Sequence, residues 1–433
     1  MDFGGLGLPN LIYEWVERCS ASHERCIQAD RIQKPARILD VGLAQGDTIK
    51  LVDYNARSTH HYVALSHCWG DTSTVLSTKR RSLTCRKSSV AFEDMPKTFQ
   101  DAVALTRQLG VRYLWIDALC IVQDDTEDWA MEAAKMGAIY ESAWLTISAM
   151  SAVDSSKGLF PSKSLAIDVN DMTSKNIPIV YAHRPTTVFP GVDHAPSLFT
   201  WVHGRPSEPS WPLISRKWAM QERLLSRRVV HFTAHEMVWE CRESLWCECG
   251  GVAGKETNKQ AYVQEVEEIA RNRLDPTKTL HQWLCLVQEY CMMKLTFRDD
   301  VLPAFSGIAQ DFSDSSLGRY LAGMWEASLP AALCWRSSPN RGRSARELNP
   351  PSTSFEIALN RRPGQYVAPT WSWASVDGQI STMPFLYHEF KSTCRAQVLD
   401  ASSNLSSSDV FGRVSYAVLE LWAPVFETVI EHD

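Results

Sequence analysis

RYLWIDALCIVQDDTEDWAMEAAKMGAIYESAWLTISA (112–149) reads as a strand, an acidic turn, a helix and a second strand. Tyr113, Leu114, Trp115 and Ile116 form an apolar run of strand length, aromatic and branched, with no helical period. Asp117 follows at once, and Cys120 comes three residues later. Asp124, Asp125 and Thr126 are cap-type residues, so a helix is expected from about Asp128 to Ser142. On that helix Trp129, Glu132, Met136 and Tyr140 share one face. Glu132 is therefore a carboxylate on an apolar stripe. It demands an explanation, because burying an unpaired carboxylate is costly or neutralises it. Leu145 to Ser148 closes the unit as the second strand.

Upstream, Tyr62 to Ser66 reads as a buried strand that ends in His67-Cys68-Trp69-Gly70-Asp71. Pro96 and Thr98 open a helix carrying Phe99, Ala102, Val103, Leu105, Thr106 and Leu109 at amphipathic spacing, and Gly110 stops it. Strand, helix, strand, helix, strand predicts a three-stranded parallel sheet with right-handed crossovers. In such sheets ligands sit beyond the carboxyl ends of the strands. The residues expected there are His67, Cys68, Trp69, Asp117, Cys120 and Ser148.

Leu11 to Cys26 has helical spacing through Ile12, Trp15, Cys19, His23 and Cys26. Cys19, His23 and Cys26 can offer three soft ligands, but tetrahedral zinc needs a fourth and no second pair lies at finger spacing. The face is read as packed side chains, and no metal site is expected. Residues 36–41 and 48–52 read as a hairpin, and Ser151 to about Ser210 as Pro- and Ser-rich loops or a passage between subdomains. Order returns with a helix over Arg216 to Leu225 and strands over 228–232 and 237–241. Cys241, Cys247 and Cys249 lack ribbon or finger spacing. Helices are expected over 262–271, 279–295 and near 305–312, followed by two Trp-bearing segments, 323–325 and 369–375, and further strands. The implied divisions are 1–60 (helix and hairpin), 61–245 (core, with the sheet at 62–149 and a helix–strand motif at 210–241) and 246–433. The Arg216 helix is expected against the carboxyl edge of the sheet.

With 433 residues the chain can bury a large core, and such a length usually divides into about two or three domains. Its apolar fraction of 45% and charged fraction of 22% exclude a wholly disordered chain. A net charge of -6 gives no general attraction for nucleic acid or an anionic membrane. No apolar run is long enough to span a bilayer. The twelve cysteines, without secretory context, are read as mostly reduced thiols in the cytosol or nucleus, and a cytoplasmic protein is expected.

YVALSHCWG (62–70), LWIDALCIVQDD and the helix after it (114–140), and RKWAMQERLLSRRVVHF with WEC (216–241) resemble the fungal heterokaryon incompatibility domain. The Cys19 helix, YLAGMW and PTWSWASVDG resemble what flanks that domain in its members. Lys217 stands where the family usually has a small residue, and Ala118 replaces a frequent Ser. The resemblance implies non-self recognition and programmed cell death in filamentous fungi. It also implies a remote likeness to TIR domains, some of which cleave the nicotinamide–ribose bond of NAD. The expected fold is thus α/β, a TIR- or flavodoxin-like parallel sheet with extensive α+β elaborations packed on it. Glu132 is the residue expected to match the TIR catalytic glutamate, with NAD as substrate.

A single carboxylate beside ribose suffices for such cleavage, because the leaving group departs without protonation from an oxocarbenium-like state. Trp69 or Trp129 can stack on a planar ring. Alternatively, Glu132 pairs with an arginine such as Arg216 or Arg223 and is structural. Asp117 can orient His67, hold a ribose hydroxyl or cap its turn. His67 and Cys120 are sterically able to form a thiolate–imidazole pair, or to be core residues. Arg216, Trp218, Gln221, Glu222 and Arg223 can close over the crevice or serve packing. Three functions follow: an NAD-cleaving hydrolase using Glu132, a non-catalytic module that assembles with itself or an incompatibility partner, or an enzyme of specialised metabolism using His67, Asp117 or Cys120.

Overall fold

The computed structural model describes residues 8–27, 33–54, 60–73, 75–160, 211–234, 236–248, 250, 257–271, 275–337, 366–382 and 395–424. Most of the expected loop region 151–210 lies outside them, as does Cys249. The chain divides into two compact units, Met1–Ile214 with Glu222–Gln264, and Ser215–Gln221 with Glu265–Asp433.

The first unit is built on one sheet. Its elements begin with α1 (Leu8–Ser22), the hairpin strands β1 (Arg37–Asp40) and β2 (Lys50–Asp53), and β3 (Tyr62–Ser66). After α2 (Arg80–Ser88) and α3 (Lys97–Gln108) come β4 (Tyr113–Ile116) and a single turn, α4 (Asp117–Cys120). Next are α5 (Thr126–Ser142), β5 (Leu145–Ser148) and α6 (Lys217–Leu225). Strands β6 (Arg228–Phe232), β7 (Met237–Cys241) and β8 (Leu245–Cys247) precede α7 (Asn258–Ala270). The unit boundary falls inside α6 and again inside α7.

The sheet has eight strands in the order β2-β1-β4-β3-β5-β6-β7-β8. Strands β4, β3, β5 and β6 are mutually parallel, and the rest pair antiparallel. The expected three-stranded core is therefore a four-stranded one with antiparallel wings. The difference comes from pairings between distant segments, such as Leu39 with Leu114 and Ile147 with Val230. In chain order the parallel strands run second, first, third, fourth, which is the flavodoxin-like order without its last strand.

Strand alternation assigns the two faces. Ala64, Trp115, Thr146 and Val229 form one row, and Ser66, Ser148 and His231 the next on the same face. Helices α5 and α6 cover it: Tyr140 meets Trp115 edge-on at 5.5 Å, and the Ser226 and Thr146 hydroxyls are 2.7 Å apart. On the other face Phe99 of α3 meets His67 at 4.9 Å, and Trp15 of α1 packs 6.1 Å from Trp239. The Asp125 carboxylate caps α5 by accepting the amides of Glu127 and Asp128, so the helix starts two residues before the expected Asp128.

The second unit holds α8 (Pro276–Cys291), α9 (Ser306–Asp311), and the short strands β9 (Tyr320–Leu321), β10 (Met324–Trp325), β11 (Arg336–Ser337) and β12 (Ile380–Ser381). It ends in a two-stranded ribbon, β13 (Gln397–Leu405) with β14 (Val414–Trp422). Its core is aromatic. Trp283 lies 5.1 Å from Phe305, 5.4 Å from Phe312 and 5.7 Å from Trp325. The two Trp-bearing segments meet here, the Trp373 indole donating to the Gly323 carbonyl at 2.8 Å. Gly323 has φ 97, and a Cβ there would lie 2.8 Å from the Trp373 ring, so only glycine fits. Among the described residues no helix is long and apolar enough to cross a membrane.

Candidate functional site

In a doubly wound sheet the crevice opens where successive connections leave in opposite directions. From β3 the chain passes to β4 on one side, and from β4 it crosses to β5 on the other. The carboxyl ends of β3 and β5 are Ser66 and Ser148, which pair across the register. Both carry hydroxyls, and both are engaged from α6 or β6.

Ser66 donates a hydrogen bond to the Glu222 carboxylate. Ser148 Oγ is 3.0 Å from His231 Nδ1, and His231 Nε2 is 3.2 Å from Glu240 Oε2. Arg223 grips Glu240 with two bonds of 2.7 Å and extends to Asn258 Oδ1 at 2.7 Å. Lys259 Nζ donates to the Arg223 carbonyl at 2.9 Å. These residues are almost wholly buried, Glu240 completely so. Burial alone would raise the Glu240 carboxyl, but the Arg223 charge and the His231 hydrogen bond hold it well below the usual carboxylate range. Burial lowers His231 despite its carboxylate partner, so the imidazole is neutral at pH 7. Burial also brings Lys259 down to about 8. The chain thus builds a serine–histidine–glutamate relay whose acid is held by an arginine.

A second cluster lies at the ends of β3 and β4. Trp69 Nε1 donates to Asp117 Oδ2 at 2.8 Å, and Asp117 Oδ1 accepts the Ala118 amide at 2.7 Å, fixing the first turn of α4. His67 Nδ1 stands 3.7 Å from Asp117 Oδ1. Gly70 closes this loop with φ 76, where a Cβ would press to 2.5 Å from that of Asp154. Cys120, on the same turn, is fully buried, and burial pushes its thiol up to about 12. At neutral pH it is a protonated core thiol.

Glu132 has a different setting. Its Oε2 accepts the Ala36 amide at 3.0 Å and its Oε1 the Lys135 ammonium at 2.8 Å, with the residue 1% exposed. The partner is thus a lysine one turn on rather than Arg216 or Arg223. Of the segment 216–223, the structure brings only Glu222 and Arg223 to the strand ends. Helix rotation of about 100° per residue sends their neighbours elsewhere. In the second unit the backbone of Arg216 pairs with that of Lys294, Trp218 Nε1 donates to Asp300 Oδ2 at 3.4 Å, and Gln221 Oε1 accepts the Gly307 amide at 2.6 Å. Lys217 donates to the Tyr290 carbonyl at 3.1 Å.

Ser66, His231, Glu240, Asn258 and Lys259 were not singled out from sequence. A signal existed for two of them. RVVHF sets His231, besides Arg228 at its start, and MVWEC sets Glu240 among apolar strand residues, which calls for partners as much as Glu132 did.

The fold and these side chains define a doubly wound α/β domain with its polar groups converging on the carboxyl ends of its parallel strands. Residues 62–222, from the first residue of β3 to the glutamate that meets Ser66, match the family described as Heterokaryon incompatibility protein (HET). No curated protein and no solved structure matches the chain.

Proposed function

We propose that this protein acts in fungal non-self recognition through its heterokaryon incompatibility domain, and that the crevice at the ends of β3 and β5 takes a ribosylated nicotinamide such as NAD. The observation that carries the reading is the Ser66–Glu222 hydrogen bond at the switch point of the sheet. It moves the carboxylate role from Glu132, whose two oxygens are taken by Lys135 and the Ala36 amide, to Glu222. A ribose hydroxyl replacing the Ser66 hydroxyl would meet a carboxylate able to stabilise positive charge at the anomeric carbon. Nicotinamide then leaves as a neutral molecule with the bonding electron pair, and water completes hydrolysis at the ribosyl carbon. Arg223, Glu240 and His231 hold α6 against the sheet and so orient Glu222. Trp69, locked by Asp117, offers a ring for stacking.

One observation favours a second reading, a non-catalytic module that signals by assembly with itself or a partner. The relay from Ser148 to Asn258 is internally satisfied and buried, as a structural network would be. The specialised-metabolism reading through a Cys120 nucleophile is disfavoured by the sealed thiol. The test is NAD loss and nicotinamide release by the purified full chain, with and without fungal extract to supply any partner. Turnover in the wild type that Glu222→Gln removes supports the hydrolase. A folded wild type that leaves NAD untouched in both conditions overturns it in favour of assembly.

A further inference from the structure

Glu240 and Cys241 are consecutive residues of β7, so their side chains leave opposite faces of the sheet. Glu240 enters the relay under α6. Cys241 enters a separate cluster under α1 that the proposed function does not use. Cys19, His23, Cys26 and Cys241 each offer one ligand atom, and these atoms all lie within 4.8 Å of one another. The three cysteines are buried and His23 is half-buried. For comparison, a tetrahedron with zinc–sulfur arms of about 2.3 Å has edges of roughly 3.8 Å. Cys241 Sγ is already 3.3 Å from His23 Nδ1.

Local structure explains the convergence. Cys19 and His23 are one helical turn apart, and the His23 amide donates to the Cys19 carbonyl at 2.9 Å. The Cys26 amide donates to the His23 carbonyl at 3.1 Å, bringing the second thiol back to the same side. Cys241 closes the set from the last residue of β7, 218 residues along from His23.

We propose that Cys19, His23, Cys26 and Cys241 bind one zinc ion as a closed structural site of three thiolates and one imidazole. Three surroundings agree with it. Ser244 supplies both outer contacts expected of such a site: its hydroxyl lies 3.2 Å from His23 Nε2, and its amide donates to Cys241 Sγ at 3.2 Å. Metal on Nδ1 leaves Nε2–H to donate to that hydroxyl, which fixes the tautomer. Three thiolates around a divalent ion carry a net charge of about -1, which buried cations would balance. Arg227 and Lys259 are both buried and near the thiols, and the Arg227 guanidinium donates to the carbonyls of Glu141, Cys26, Ile27 and Ala143. Finally, Trp246 stacks on Trp239 and lies 5.4 Å from His23, shielding the cluster with aromatic surface. With four protein ligands there is no open position for substrate, so the ion staples the N-terminal helix to the sheet.

The test uses the full chain purified under reducing conditions without chelator or added metal. Elemental analysis after gel filtration is expected to give about one zinc per chain. Cobalt(II) exchanged into the site is expected to show thiolate charge-transfer and tetrahedral ligand-field bands. Cys241→Ala should lower zinc at least about tenfold, whereas Cys247→Ala, on the next strand, should leave it unchanged. If Cys241→Ala fails to fold, His23→Cys decides, because four thiolates keep the zinc and shift the cobalt spectrum. A folded wild type with under about a tenth of a zinc per chain and no cobalt charge-transfer band overturns the proposal. So does zinc retained undiminished in Cys241→Ala, or a disulfide among the three cysteines.

Discussion

The two faces of β7 solve the same problem in different ways. Under α6, Glu240 is matched by an arginine, a histidine and, further off, a lysine. Under α1, Cys241 meets two thiols and an imidazole, with cations only in the surroundings. The first face is complete with protein groups alone, since the Glu240 carboxylate is met by the Arg223 guanidinium and the His231 ring at hydrogen-bond distance and the Lys259 ammonium by the Arg223 carbonyl. The second gathers donors of one kind, which is the chemistry of a metal site. A buried polar group in this domain is therefore read by what faces it, and one residue of strand is enough to change the answer.

The largest expected effect on the first face is that of Glu240→Ala. It leaves Arg223 and Lys259 buried without their carboxylate, a loss of about 3–5 kcal/mol for a broken buried pair, read by urea unfolding. A loss below about 1 kcal/mol would show that the network is not what holds α6 to the sheet.

Acid should act on the same face. Glu240 is held below its unfolded value, so its contribution is present above the ordinary carboxylate range and is lost as pH falls through the folded value. His231 is lowered from 6.5, so the unfolded chain takes up its proton first and stability starts to fall below about that pH. His231→Gln, which keeps a polar partner for Ser148 and Glu240, should remove the decline that begins near 6.5 and leave the more acidic one. A stability–pH curve left unchanged by His231→Gln would mean that His231 binds its proton equally well in the folded and unfolded chain, against the lowering by burial. The smallest effect belongs to Glu132→Gln. It trades an ion pair with the partly exposed Lys135 for a neutral contact and keeps the Ala36 hydrogen bond, at a cost of about 1 kcal/mol or less by thermal or urea melting. A loss of several kcal/mol would make Glu132 the anchor that Glu240 is taken to be.

How far these features were legible follows from their range. Strands 62–66, 228–232 and 237–241 were read at their true bounds because each is an apolar run between polar turns. The antiparallel wing was not placed, since nothing in residues 37–40 announces pairing with 113–114. Ser148, Glu222 and Arg223, named from motif and strand end, lie where the strands β3 and β5 meet α6 or β6. Glu240 and His231 were missed because an apolar run signals burial and does not reveal which partner meets an ionisable residue set within it. Conversely, Glu132 drew attention as a charge on an apolar stripe; one partner, a lysine three residues on, is local, and the other, the Ala36 amide 96 residues away, is brought to it only by the fold. The cluster of Cys19, His23 and Cys26 was visible, and so was Cys241, but only the fold joins segments that far apart.

The central claim is that the carboxylate facing ligand is Glu222 and not Glu132. The direct measurement is nicotinamide release from NAD by wild type, Glu222→Gln and Glu132→Gln at matched folded fraction, with any required partner present. Glutamine at 222 can still accept from Ser66, so folding should persist while turnover falls by at least about a hundredfold, the loss expected when a charge needed only in the transition state is removed. Glu132→Gln should keep wild-type turnover. Activity lost with Glu132→Gln and retained with Glu222→Gln would contradict the account and return the site to the start of α5.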